Sequence, residues 1–216
     1  MISTSKIVKV EEGVGFWTFT PFKRTYLLDR MHPTVSTELT DSRRISPRQR
    51  KHIYALINDV SDYTGYDTED AKSTMKYLFY EKTGFDEFSL SNCDMTTANR
   101  FIEFLIDFCL SEHVPTKESL KDHAPDVSRY IYSCLIHKRC CITGMPADLH
   151  HVDAVGQGRN RAHIIHEGMK VLPLCRVYHN EAHNIGDRSF CRKYKLVPIE
   201  LDAYLCKQLG LKSMAD

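Results

Sequence analysis

Six of the chain's eleven histidines fall between residues 150 and 183, and four of them form a spaced pattern. The pattern is the adjacent pair His150-His151, a basic glycine-containing stretch, Leu172-Pro173-Leu174-Cys175, and then His179 and His183. Residues four apart on a helix lie on one face a turn apart, so His179 and His183 can share one ion. The adjacent pair, if extended, sends its side chains to opposite faces. One of the two can then join the ion while the other handles a proton. Three protein ligands with an open position is a catalytic arrangement, whereas a structural metal site is closed. A chain that folds around this pattern must bring a strand pair against a helix.

Length and composition admit one large domain or two small ones. The net charge of +1 conceals an uneven distribution. Ten Lys/Arg stand against five Asp/Glu between Lys138 and Val197, and a second basic cluster comprises Arg43, Arg44, Arg48, Arg50 and Lys51. Local basic patches on a near-neutral protein fit contact with a polyanion. The eight cysteines show no framework spacing, and several lie in apolar helical patterns. With no signal peptide and no apolar run of membrane-spanning length, the expectation is a soluble, cytoplasmic protein with free thiols and no membrane partner.

The first 45 residues read as strands: Ile7–Val10, Phe16–Phe19 and Val35–Leu39, cut by Gly13, Gly15, Pro21 and Pro33. A helix follows with Ser46 as N-cap and Pro47 in its first turn, an inward stripe of Ile53, Leu56, Ile57 and Val60, and Gly65 as its stop. A second is expected over Thr68–Lys82 with Met75, Leu78 and Phe79 inward, and a third over Met95–Glu112. The polar stretch Thr116–Asp126 reads as a boundary, Val127–His137 as a connecting helix, and Ile199–Leu209 as a closing helix. The fold class is therefore α+β, with N-terminal strands and a helical bundle ahead of a strand–loop–strand–helix module. The expected division is 1–115, a linker and helix over 116–137, a histidine module over 138–198, and a C-terminal helix over 199–216.

On Leu149-His150-His151-Val152, Val171-Leu172-Pro173-Leu174-Cys175 and His179-Asn180-Glu181-Ala182-His183, the stretch 138–197 resembles the HNH, or ββα-metal, nucleases. That resemblance implies a metal-dependent DNA endonuclease with His151 as general base and His150, His179 and His183 as ligands. Arg159, Arg161 and Arg176 are candidate phosphate grips. The ion is divalent, with Zn²⁺, Ni²⁺, Mn²⁺ and Mg²⁺ all compatible with the ligand set. Two positions depart from the family pattern. Lys170 stands where the middle Asn is expected, three residues before Pro173. Cys140, Cys141 and Cys175 belong to incomplete zinc knuckles and read as packing residues. His163 and His166 read as structural or hydrogen-bonding.

The front half, on Ser46–Leu56 and Met95–Glu103, resembles the NinB/Orf recombination mediators of lambdoid phages. This implies a homodimer that binds single-stranded DNA beside a single-strand-binding protein, with Arg48, Arg50 and Lys51 on the DNA. The chain as a whole resembles HNH nucleases of phage recombination cassettes, acting on single-stranded or branched intermediates in the host cytoplasm. A non-catalytic mediator with structural zinc is the alternative, and the adjacent unliganded His151 argues against it. No base-reading helix for a sequence-specific nuclease is visible.

Overall fold

The structure, a computed structural model, describes residues 5–11, 14–19, 41–152 and 165–214. The expected strand Val35–Leu39, Arg159, Arg161 and His163 lie outside the described residues, as do all side chains before residue 41. Two compact units divide between Leu39 and Thr40. In the first, β1 (Ser5–Glu11) pairs antiparallel with β2 (Val14–Phe19), and the register shifts between Ile7 and Lys9. These are the two strands expected from the β-branched and aromatic runs.

The second unit opens with α1 (Pro47–Thr64), α2 (Thr68–Thr83) and α3 (Met95–Ser111). The start of α1 is a reciprocal capping box. The Ser46 hydroxyl accepts from the Gln49 N–H, and the Gln49 side chain accepts from the Ser46 N–H, so two N–H groups at the helix start are satisfied. Gly65 ends α1 at φ 78°, a conformation glycine adopts without strain. Inward stripes follow the periodicity, with Ile53, Leu56, Ile57 and Val60 buried from α1 and Ala98, Phe101, Ile102 and Leu105 from α3. Leu78 is an exception. It is 37% exposed, and Ala71, Met75 and Phe79 carry the buried face of α2. Phe79 is the hub, with edge-on or tilted rings of Phe85, Phe88, Phe101 and Phe104 at 5.3–5.8 Å.

The polar stretch after Val114 is docked within the second unit. It contains a short helix, α4 (Leu120–His123), whose Leu120 and His123 are buried. The Lys117 N–H donates to Asp59 of α1, and Lys121 Nζ donates to the Tyr194 carbonyl. Polar composition marks the outward side of this strap and conceals its two anchors. Next comes α5 (Val127–Ile136), capped by Asp126. Asp107 of α3 accepts from Lys82, Ser133 and His137, tying α2, α3 and α5 together. Burial raises its carboxyl, but those bonds outweigh it and leave the group at about 2.

The remaining elements are β3 (Asp148–His151), β4 (Lys170–Leu174), α6 (Arg176–Ile185), α7 (Asp187–Tyr194), β5 (Ile199–Glu200) and α8 (Ala203–Leu209). The antiparallel sheet has the order β3-β4-β5. Two differences from the sequence reading stand out. Gly186, at φ 80° and ψ 144°, breaks the region after His183 into two helices, and α7 was not expected. Ile199-Glu200 pairs with Lys170-Val171, so the closing helix begins only at Ala203. β5 pairs with Lys170 and Val171 of β4, and further along β4 the Pro173 carbonyl accepts from the Cys141 N–H at 3.0 Å. One hydrophobic core runs from Ile45 through Phe101, Ile131, Leu172 and Phe190 to Cys206, so the front helices and the histidine region are packed together.

His52 of α1 and His123 of α4 share a hydrogen bond between their Nδ1 atoms at 2.9 Å. Burial lowers both imidazoles from the ordinary 6.5. His123, Arg48 and Lys51 push His52 further down, and the facing acids Glu118, Asp59 and Asp122 only partly oppose this. A folded-state pKa below the unfolded one means stability is present above pH 6.5 and is lost as pH falls below it. The melting temperature should therefore drop between about pH 7.5 and about pH 5.5. His123→Leu should flatten that slope, and an unchanged slope in thermal melts would contradict the coupling.

Candidate metal centre

The register of the β3–β4 pair sets His150 opposite Leu172 and His151 opposite Val171. Alternation sends the two imidazoles apart: His150 is fully buried and His151 half-buried. The strand β4 then leads through Cys175 directly into α6, whose residues His179 and His183 sit one turn apart. Their rings lie 4.9 Å apart at an interplanar angle of 29°, and the His150 ring lies 4.7 and 4.9 Å from them. One ring nitrogen from each of the three falls within 4.8 Å of the others. Sequence spacing suggested this trio, and the structure brings it together.

Two observations test whether these residues suit a metal ion. The Nδ1 atoms of His150 and His179 are buried and have no hydrogen-bond partner among the described residues. An unsatisfied buried polar atom costs roughly 1–3 kcal/mol. An ion would use both lone pairs. Burial first, and then the neighbouring His150 and His183, lower the His179 imidazole and favour the neutral form that ligates metal. His150 is buried, His179 half-buried and His183 exposed, so the cluster opens towards solvent on the His183 side. That grading leaves room for a substrate oxygen, as a catalytic centre needs.

The sequence reading missed Asp187. It is the first residue of α7 and places Oδ1 2.6 Å from His150 Nε2. With Nε2–H donating to the carboxylate, the His150 lone pair sits on Nδ1, turned towards the other two rings. The expected single helix obscured this residue, because its position depends on the Gly186 break. The α6–α7 corner is held by Tyr178, Phe190 and Tyr194, whose rings pack at 4.8–6.5 Å. Glu181 adds hydrogen bonds from Tyr194 Oη and Lys193 Nζ. Those contacts fix Asp187 relative to His179 and His183.

His151 lies outside the cluster, and its Nε2 is 3.1 Å from His166 Nδ1. Lys170, standing where the family pattern has Asn, pairs with Glu200 across the sheet. Cys140 and Cys141 are fully buried. Cys175 is half-buried at the N-cap of α6. Burial raises its thiol, but hydrogen bonds with the Tyr178 N–H, the Thr143 hydroxyl, the Cys140 thiol and the Val177 N–H lower it on balance.

The basic candidates divide. Arg176 is exposed at the start of α6, 3.4 Å from Asp148. Arg48 donates to His52 of its own helix, and Lys51 is exposed with no partner among the described residues. Arg50 is a strut, donating to the carbonyls of Leu90 and Ser91. The sequence reading also passed over Arg188 and Arg192, exposed on α7, and Lys195, exposed just past its end.

A strand pair and a helix thus gather three imidazoles that could hold one metal ion. A protein-family profile described as "Putative HNHc nuclease" matches residues 21–212, and the chain belongs to this family of HNH nucleases. The match extends over α1–α5 as well as the histidine segment, so the front helices are part of the family unit. No curated protein and no solved structure matches the chain. No helix among the described residues is long and apolar enough to cross a membrane.

The His150–Asp187 contact yields a direct expectation. Asp187→Ala should weaken divalent-ion binding about 10- to 100-fold, the usual cost of losing such a support. Isothermal titration of the chelated protein checks this. An affinity equal to that of the wild type would mean that Asp187 does not orient His150.

Proposed function

We propose that the protein is a metal-dependent endonuclease that hydrolyses DNA phosphodiester bonds, with His150, His179 and His183 as ligands and His151 as general base. The observation that carries this reading is the convergence of three imidazoles, two with orphaned buried nitrogens, beside a fourth that faces away from them. A closed structural zinc site, as in the alternative of a non-catalytic single-strand-binding mediator, would leave His183 buried and give His151 no task.

A divalent ion held there supplies Lewis-acid charge at the scissile phosphate and the departing 3′ oxygen. The protein's own residues do the rest. The His151 imidazole accepts the proton of the attacking water. His150 is held in one tautomer by Asp187 and keeps its donor nitrogen aimed into the cluster. Arg176 at the start of α6 and the exposed Arg188, Arg192 and Lys195 are candidate phosphate contacts, as are Arg159 and Arg161, which fall between β3 and β4 in the sequence. Arg48, Arg50 and Lys51 remain candidates for a separate DNA contact on α1, and Arg50 also donates to the carbonyls of Leu90 and Ser91.

The substrate setting is part of the same proposal. The front-half resemblance supports action on single-stranded or branched recombination or replication intermediates of a phage, in the host cytoplasm. It also supports a homodimer working beside a single-strand-binding protein. Within this reading, residues up to about 115 serve DNA binding and residues 138–198 serve cleavage.

His151→Ala should lower the cleavage rate by ~10²–10⁴ while leaving ion and DNA affinity nearly unchanged. The assay pairs wild type and variant on single-stranded, duplex and branched oligonucleotides with Mg²⁺, Mn²⁺, Ni²⁺ and Zn²⁺. A variant as fast as the wild type would remove His151 from the mechanism. Failure of the wild type to cleave with every ion would favour the mediator.

A further inference from the structure

A general base must present a lone pair in a fixed direction, and an isolated imidazole does not. Neutral histidine exchanges between two tautomers, and the partner of one ring nitrogen decides which nitrogen carries the proton. His151 ends β3 and has His166 against it. Nε2 of His151 and Nδ1 of His166 are 3.1 Å apart, with ring centroids at 5.2 Å and planes at 45°. We propose that His166 is the positioning residue for His151: its Nδ1 accepts the His151 Nε2–H, fixing the tautomer and ring direction that put the basic lone pair on Nδ1. The inference rests on the reading of His151 as the base.

The backbone around His166 distinguishes this pair from a chance contact between surface rings. The His166 N–H donates to the Lys212 carbonyl at 3.0 Å, and its own carbonyl accepts from the Met169 N–H at 3.0 Å. The turn is closed by Gly168 at φ 83°, where a side chain would be strained, and the Gly168 N–H donates to the Leu201 carbonyl at 2.8 Å. Glu167 accepts from the Met214 N–H at 2.7 Å. On the opposite side, the Val152 N–H donates to the Lys170 carbonyl at 2.8 Å, so the end of β3 is tied to the start of β4. His151 and His166 are therefore each set by main-chain bonds before their side chains meet. The segment after α8, residues 212–214, is a brace for the site, a role that its position at the chain's end did not suggest. His166 takes no part in the three-imidazole cluster, so its contribution is separable from ion binding.

The test uses the full-length protein with ¹⁵N-labelled histidine and reads the ring nitrogens of His151 by NMR at mildly alkaline pH. The expected wild-type state is one tautomer, protonated at Nε2. His166→Phe should give a tautomer mixture, and His166→Asn, whose amide oxygen can accept the same proton, should restore the single tautomer. Cleavage should follow: about a 10- to 100-fold lower kcat in His166→Phe with KM and ion affinity unchanged, and most of the loss recovered in His166→Asn. An unchanged His151 tautomer in His166→Phe would overturn the proposal, as would an Asn variant no better than Phe in either readout. Because the NMR readout needs no turnover, a tautomer that responds as expected in a protein that cleaves nothing would uphold the pairing and count against the nuclease reading alone.

Discussion

The hydrogen bond between buried His150 and Asp187 joins the elements on which the site depends. His150 enters from β3, which reaches its place only through its register with β4. Asp187 enters from α7, which points at His150 only because Gly186 turns the chain after α6. Between them stand His179 and His183 on α6, itself the direct continuation of β4. Burying an imidazole without partners is unfavourable, and the carboxylate satisfies one side of the ring while leaving the other for an ion. Stability and function are therefore set against each other at the cluster, which holds two of the three orphaned buried side-chain nitrogens among the described residues.

The front helices are more than a neighbour of this unit. Asp107 gathers bonds from α2 and α5, and the core continues from Phe79 and Phe101 through Ile131 to Leu172 and Phe190. The strap around α4 adds a polar layer, where His52, His123 and Asp59 are packed with few partners. Family membership over 21–212 agrees with this shared core. Whatever the basic start of α1 contacts, it does so from a helix anchored in the same core as the metal centre.

What was legible in the sequence follows from the range of the interactions involved. The helix α1 announced itself because its determinants, Ser46, Pro47, Gln49 and Gly65, act within a few residues. The two expected faces of the His150-His151 pair and the one-turn spacing of His179 and His183 are likewise local consequences of strand and helix periods. Asp187 and the strand β5 were not legible, since each depends on a partner brought in from elsewhere: His150 and the edge of β4. Leu78 misled for a related reason. Its period fits the stripe of α2, but Ala71, Met75 and Phe79 already cover the side that meets the core. The charge of Arg50 is visible in sequence, whereas its bonds to the carbonyls of Leu90 and Ser91 are not.

The central claim is that three imidazoles, and no thiolate, hold one divalent ion. X-ray absorption of the zinc-loaded protein tests it directly, because nitrogen and sulfur neighbours differ in distance. The account predicts imidazole nitrogens at roughly 2.0–2.1 Å, with the remaining coordination completed by oxygen. A sulfur shell at about 2.3 Å would place the ion at Cys140 and Cys175 and contradict the account.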